Sequence, residues 1–325
     1  MNELDITQLD GVGPVTVKKL AAFGVKSLID ICIRGSKEVA EITGTAKAKS
    51  DQWVFNAQKI LEEKNIIRKT DMNTIELMKY HDEMVLLPTK CKAVDELMSG
   101  GVKPECVYEV YGEFGSGKTQ FCLSLLVEAI AQEMNVVWID CEDTFRPSRV
   151  LEIFRSRIDE NGDAYSVSDE DLEKYLEYID YIYTPNTEQL MGTINGLSDI
   201  MEEKKPRLVI IDGSIGQFRE EYLGRGTLAD RQNQIARLMT HIKNISFYFK
   251  CTVIFTNQVQ SDPSIMFGDP TKPIGGNVVG HASTYRIYFK KSGRKRIARM
   301  VDSPEHPQGD ASFTLNSSGI ADVED

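Results

Sequence analysis

The run Gly112-Glu113-Phe114-Gly115-Ser116-Gly117-Lys118-Thr119 constrains this chain more than any other stretch. It fits G-x-x-x-x-G-K-[ST], and its surroundings fit as well. VYEVYG before it has the β-branched and aromatic character of a strand, and TQFCLSLLVEAIAQ after it reads as a buried helix. A strand, a glycine-rich turn and a helix in that order make an anion cradle. The glycines let backbone N–H groups face phosphate, and the helix N-terminus adds its dipole. Lys118 is expected to reach the β- and γ-phosphates of a nucleoside triphosphate, and Thr119 to hold Mg²⁺. The bland alternative is a chance glycine-rich turn.

That cradle needs a sheet to stand on, and the later chain supplies one. From about Val85, VYEVYG, VVWID (136–140), LVIID (208–212) and TVIFTNQ (252–258) alternate with helical stretches. This is the pattern of a parallel sheet with crossover helices. RIYFKK (286–291) and KRIARMVD (295–302) flank Ser292-Gly293 and predict an antiparallel hairpin. Ligands of such sheets sit at the carboxyl ends of the strands, where polar residues accumulate here. Asp212 ends LVIID and is expected to help hold Mg²⁺, or merely to cap a helix. Asp140, Glu142 and Asp143 end VVWID. Glu142 is the candidate to orient and deprotonate an attacking water, against the reading of a solvated acidic strand end. Asn257 and Gln258 end TVIFTNQ, where an amide can sense a γ-phosphate or simply cap a loop.

Before the sheet, residues 1–69 read as a small all-α unit. Pro14 starts a short helix that stops near Gly24, and Gly44-Thr45 precedes a longer one. The polar segment 70–84 reads as a linker, and 85–325 as the ATPase core. Six scattered cysteines without a C-x-x-C pair read as buried thiols of a reducing compartment. Four histidines lack metal-ligand spacing, so no zinc site is expected. The start is acidic and polar, and no run spans a bilayer, so a cytosolic or nuclear location is expected, and the resemblance described next implies the cytoplasm.

With these residues in view, the chain resembles the archaeal RadA recombinases, a branch of the RecA family of DNA strand-exchange ATPases. LDGVGPVTVKKL (9–20), YGEFGSGKTQ (111–120), DTFRPSR (143–149), FREEYLGRGTLADRQ (218–232), TNQV (256–259) and FGDPTKPIGGNVVGHASTYR (267–286) carry the likeness, with KRIARMVDSP (295–304). The resemblance implies a RecA-like α/β core, mostly parallel with C-terminal antiparallel strands, behind a helix-hairpin-helix domain. It implies ATP, Mg²⁺ and optionally K⁺ as cofactors. Its implied partners are single- and double-stranded DNA, other copies of the chain in a filament or ring, and other recombination proteins.

Residue roles follow from the same resemblance. Glu142 matches the catalytic glutamate, Gln258 the glutamine that couples the γ-phosphate to DNA, and Arg149 an arginine stacking on adenine. Gly112 to Gln120 match the nucleotide loop. Arg219, Arg225 and Arg231 match DNA contacts of the first loop, and Gln260 to Ile274, followed by Gly275-Gly276, the second. His281, Asp302 and Pro304 match a cap laid over ATP by the neighbouring subunit. Gly11 and Gly13 match a hairpin whose amides bind one DNA phosphate.

The sequence departs from the family at informative places. Asp143 and Gly213 stand where the family usually has Gly and Ser, and Asn277 where it has His. The expected consequence of Asp143 is charge repulsion on Glu142. The family's Phe-x-x-Ala tether has only Met72-x-x-Ile75 as a counterpart. These departures motivate a second expectation, a mediator that binds ATP and a partner recombinase but hydrolyses slowly. A small-molecule kinase would leave the arginine-rich and glycine-rich segments without a purpose.

Composition raises one objection. The chain has 38 Lys+Arg against 49 Asp+Glu, net −11, unlike a simple nucleic-acid binder. But residues 158–180 hold nine acidic groups and one lysine, whereas 286–299 hold seven basic groups and no acid. The expectation is an acidic solvated face set apart from a DNA surface of few arginines and many backbone amides.

Overall fold

The computed structural model describes residues 4–157, 169–222, 227–261 and 271–324. After a 3₁₀ turn at Ile6–Gln8, the N-terminal helices are α1 (Pro14–Ala21), α2 (Leu28–Thr43) and α3 (Lys47–Glu63). Two of them carry a local start signal. Pro14 occupies the first turn of α1, where its missing N–H costs nothing. Ser27 and Asp30 form a reciprocal capping box on α2. Trp53 of α3 is buried and donates its indole N–H to Asp10 O at 2.8 Å, pinning the α3 helix to the 9–13 loop.

The segment expected as a linker carries a helix of its own, α4 (Thr74–Asp82), started by a second capping box of Asn73 and Glu76. Polar composition hid it, because α4 buries no residue. It is held through Tyr80, whose hydroxyl donates to Glu105, a carboxylate that also pairs with Arg68. A short α5 (Lys92–Leu97) follows.

The core then alternates strand and helix. In order come β1 (Val107–Gly112), α6 (Lys118–Ala131), β2 (Val136–Asp140), α7 (Pro147–Arg155), α8 (Asp169–Leu176) and β3 (Ile179–Tyr183). Next are α9 (Thr187–Gly196), α10 (Ser198–Lys204), β4 (Leu208–Asp212), α11 (Ser214–Glu221), α12 (Leu228–Tyr248) and β5 (Thr252–Asn257). The chain closes with β6 (Val259–Ser261), β7 (Thr271–Pro273), α13 (Gly276–Ala282), β8 (Tyr285–Ser292), β9 (Lys295–Asp302), β10 (Gly309–Asn316) and β11 (Gly319–Asp322).

One nine-stranded sheet runs in the order β11-β10-β9-β8-β1-β5-β4-β2-β3. Strands β8 to β3 of that order pair in parallel, and β8 to β11 pair antiparallel through the expected hairpin. β1, β2, β4 and β5 are buried at every position, as strands covered on both faces must be. Alternate side chains feed two cores. Trp138, Ile210 and Ile254 face one that includes Phe121 and Phe154, while Val137, Ile211 and Phe255 face the other. This second core is continuous with Leu20, Leu28, Trp53 and Leu61 of the N-terminal helices, which therefore pack on the sheet's covering helices.

The acidic segment lies only partly within the described residues, which omit 158–168. In its described part Glu173 and Glu177 are exposed to solvent, while Asp180 is half-buried and pairs with Lys204 at 2.5 Å. Among the described residues, no helix is long and apolar enough to cross a membrane.

Candidate nucleotide site

Neighbouring strands β1, β5, β4 and β2 bring the polar tips to one edge of the sheet. The loop from Gly112 leads into α6, whose first residue is Lys118. Gly117 precedes it at φ +107°, a left-handed conformation that disfavours a side chain. Lys118 Nζ donates to the carbonyls of Gly112 (3.0 Å) and Glu113 (3.1 Å), so the ammonium lies over the loop itself. Burial lowers its pKa, and Glu142 and Asp212 oppose that shift. Ser116 Oγ is buried without a partner among the described residues, a polar atom turned into the loop. Gly115 lies in the same turn, and Phe114 projects almost fully into solvent at 92% exposure.

Thr119 and Asp212 meet as expected, with Thr119 Oγ1 donating to Asp212 Oδ2 at 2.9 Å. Asp212 is buried, and burial pushes its carboxyl up to about 6 against hydrogen bonds from Thr256 and Thr119. Thr256 was missed in the sequence. Its hydroxyl donates to Asp212 Oδ1 at 2.6 Å and accepts the Gly213 N–H at 2.8 Å. The signal lay in the strand tip TNQ, whose hydroxyl faces the neighbouring strand's carboxylate.

Glu142 and Gln258 also converge. Gln258 Nε2 donates to Glu142 Oε1 at 2.9 Å. Glu142 lies against Gly213, where a Cβ would come within 2.5 Å of Glu142 Cγ. The departure from Ser at 213 therefore has a steric meaning. Asp143 adopts φ +53°, a conformation that suits glycine and that aspartate tolerates better than most residues. Its exposed carboxylate lies 3.7 Å from Arg146, so a guanidinium accompanies the extra charge beside Glu142.

Arg149 on α7 is fixed next to the loop. Its Nε and Nη2 both donate to Gln120 Oε1 (3.0 and 2.8 Å), and the guanidinium also reaches the carbonyls of Asn316 and Ser317. Asn257 is committed to contacts within the sheet. It is buried, and its amide donates to Glu109 Oε1 and Ile274 O, both at 2.7 Å. It thus anchors the chain just before Gly275. Glu109, itself buried, is completed by the half-buried Arg286 at 2.6 Å, a pair that sequence reading did not find.

Other expected residues stand apart from this cluster. Arg219 is exposed on α11 and Arg231 sits in the first turn of α12; Arg225 lies outside the described residues. Glu221 is bonded to Thr187, and no ion pair joins it to Arg219 among the described residues. Of the second loop, 262–270 lie outside the described residues; β6 and β7 pair at its base. Gly275 caps α13 at φ +95°, with Gly276 after it. His281, Asp302 and Pro304 make no hydrogen bond to the phosphate loop of their own chain among the described residues. Gly11 has φ +78° beside the Lys49 ammonium, and Gly13 is the N-cap of α1.

A profile of the Rad51 family matches residues 80–323. The chain belongs to the Rad51 family. It is 39% identical over 332 residues to a DNA repair and recombination protein RadA of Cenarchaeum symbiosum, covering 100% of this chain and 81% of the relative. It is 34% identical to the RadA of Methanoculleus marisnigri, covering 98% of this chain and 99% of that protein. Membership of the Rad51 family supports the RecA-like reading of the core and its nucleotide chemistry with a metal ion.

Proposed function

We propose that this chain is an ATP-dependent DNA recombinase that assembles on single-stranded DNA, pairs it with homologous duplex and hydrolyses ATP to release it. The observation that carries the reading is the convergence on one sheet edge of Lys118, the Thr119–Asp212 pair and the Glu142–Gln258 pair. Family membership supplies the DNA side, through relatives named for DNA repair and recombination.

The residues fit a metal nucleotide. Thr119 and Asp212 supply hard oxygen donors at the end of the phosphate loop, which suits Mg²⁺. They would hold that ion, which supplies charge neutralisation on the phosphates. Lys118 would pair with the β/γ-phosphates, and Arg149 would border the adenine. Glu142 then accepts a proton from the water that attacks the γ-phosphorus, the bond from that phosphorus to the β–γ bridging oxygen breaks, and ADP leaves in line with the entering water. Gln258 bonds Glu142 and begins the segment leading to the second loop, so it links the hydrolytic group to the DNA-binding surface. Arg219, Arg225, Arg231 and the amides around Gly275-Gly276 contact the DNA backbone, as an interface that ignores base identity requires. Asp302, Pro304 and His281 serve the site of a neighbouring copy.

The test is ATP turnover with and without single-stranded DNA. Turnover rises with DNA, and Lys118→Ala removes it, in a phosphate-release assay. Absence of stimulation across Mg²⁺ and K⁺ concentrations would sink the enzymatic reading. ATP binding without self-assembly would instead favour the mediator.

A further inference from the structure

Strand β2 ends in a carboxylate that the phosphate site leaves unused. Asp140 is completely buried. Its Oδ1 accepts the backbone N–H of Glu142 at 3.0 Å. Its Oδ2 accepts the N–H groups of Thr144 and Phe145, each at 2.9 Å, and the Tyr181 hydroxyl at 3.3 Å. Among the described residues, no lysine or arginine pairs with it. A buried carboxylate without a counter-ion needs this kind of dipolar solvation. Here the solvation comes almost wholly from one turn.

The consequence is geometric. Three amides of residues 142–145 are tied to a side chain of the rigid central sheet. Asp143 takes the left-handed conformation within that turn. Glu142 can then leave the turn over the bare face of Gly213, where Gln258 meets it. Asp140 has four donors on its two oxygens, all from its own chain. Asp212, two strands' tips away in sequence, instead shares its oxygens with Thr119, Thr256 and Thr144. The two aspartates therefore have separate tasks.

We propose that Asp140 is a positioning residue for ATP hydrolysis: its carboxylate fixes the turn that aims Glu142 at the attacking water. The proposal rests on Glu142 being the water-activating base, as read above. The competing account is a purely structural cap on β2.

Asp140→Asn keeps the shape but puts an amide donor against at least one of the turn's N–H groups. Turnover falls roughly 10- to 100-fold, the cost of displacing a reacting group by about an ångström. Affinity for a fluorescent, non-hydrolysable ATP analogue stays within about twofold, because only the hydrolytic step is touched. The same substitution is then placed in a Glu142→Gln background and read by single turnover with enzyme in excess. It causes no further loss there, because both changes act through one carboxylate. Equal fractional losses in the two backgrounds, or a full-rate Asp140→Asn protein, would overturn the proposal. If Glu142→Gln alone keeps turnover, the parent reading fails instead. Should Asp140→Asn not fold, Tyr181→Phe removes one donor from the cluster; a loss of about threefold, again absent in the Glu142→Gln background, supports the same role.

Discussion

At the scale of single residues, the site is governed by what its neighbours leave room for. Gly213 is the clearest case. It takes φ +91° and lies under the Glu142 side chain, so an added methyl meets both strain and collision. Gly213→Ala is expected to lower ATP turnover roughly tenfold through a misplaced Glu142 while nucleotide affinity is kept. Gly216→Ala, whose Cβ would meet Gln258 only at 3.7 Å, is the control and leaves turnover unchanged. Steady-state kinetics with nucleotide titration separates the two. Lys118, Thr119, Glu142 and Gln258 were legible in the sequence because each is a special residue type at a fixed place relative to a strand or turn. Thr256 was not, because its role depends on which carboxylate lies across the sheet, and Asp140 was not, because its role depends on the left-handed turn that follows it.

At the scale of elements, strands announced themselves by unbroken apolar runs, and the phosphate loop by its glycines. Helix α4 did neither. Its sequence is polar and it buries nothing, so it stands on its capping box and on Tyr80. Asn73→Ala removes the acceptor for the Ile75 and Glu76 amides and costs about 1 kcal/mol of local helix stability. Hydrogen exchange across 74–82 should rise while the melting temperature of the whole chain stays put. Ile75 and Met78 remain exposed on this helix, at 64% and 57%. These exposed apolar side chains are the ones to substitute when assembly is measured.

At the scale of the whole molecule, the N-terminal helices are joined to the core by a charged cluster as well as by apolar contact. Glu38 of α2 pairs with Arg34 and reaches Arg237 and His241 of α12. Burial raises its carboxyl, but hydrogen bonds from His241 and Arg237 and the charge of Arg34 outweigh it and hold it down at about 2. A depressed carboxylate stabilises the folded state above its ordinary value of 4.5, and that contribution fades as pH falls toward 2. Glu38→Gln should therefore destabilise by on the order of 3 kcal/mol at neutral pH. The gap in melting temperature from the natural chain should narrow as pH falls below about 4.5. A gap constant with pH would show that the ionised carboxylate of Glu38 is not the source of the stability. Such docking could not be read from sequence. Glu38 and His241 are 203 positions apart, and each alone is an ordinary helix residue. By itself the sequence determined the phosphate loop, the alternation of strands and helices, and the residue types at the strand tips, because these are local patterns of glycine, charge and hydrophobic period. Only the tertiary structure decided strand order, and with it that Asp212 meets Thr256, that Gln258 meets Glu142 and that Asp140 closes a turn upon itself. Those meetings depend on which strands lie side by side and on which backbone turns left-handed, and no local pattern carries that information.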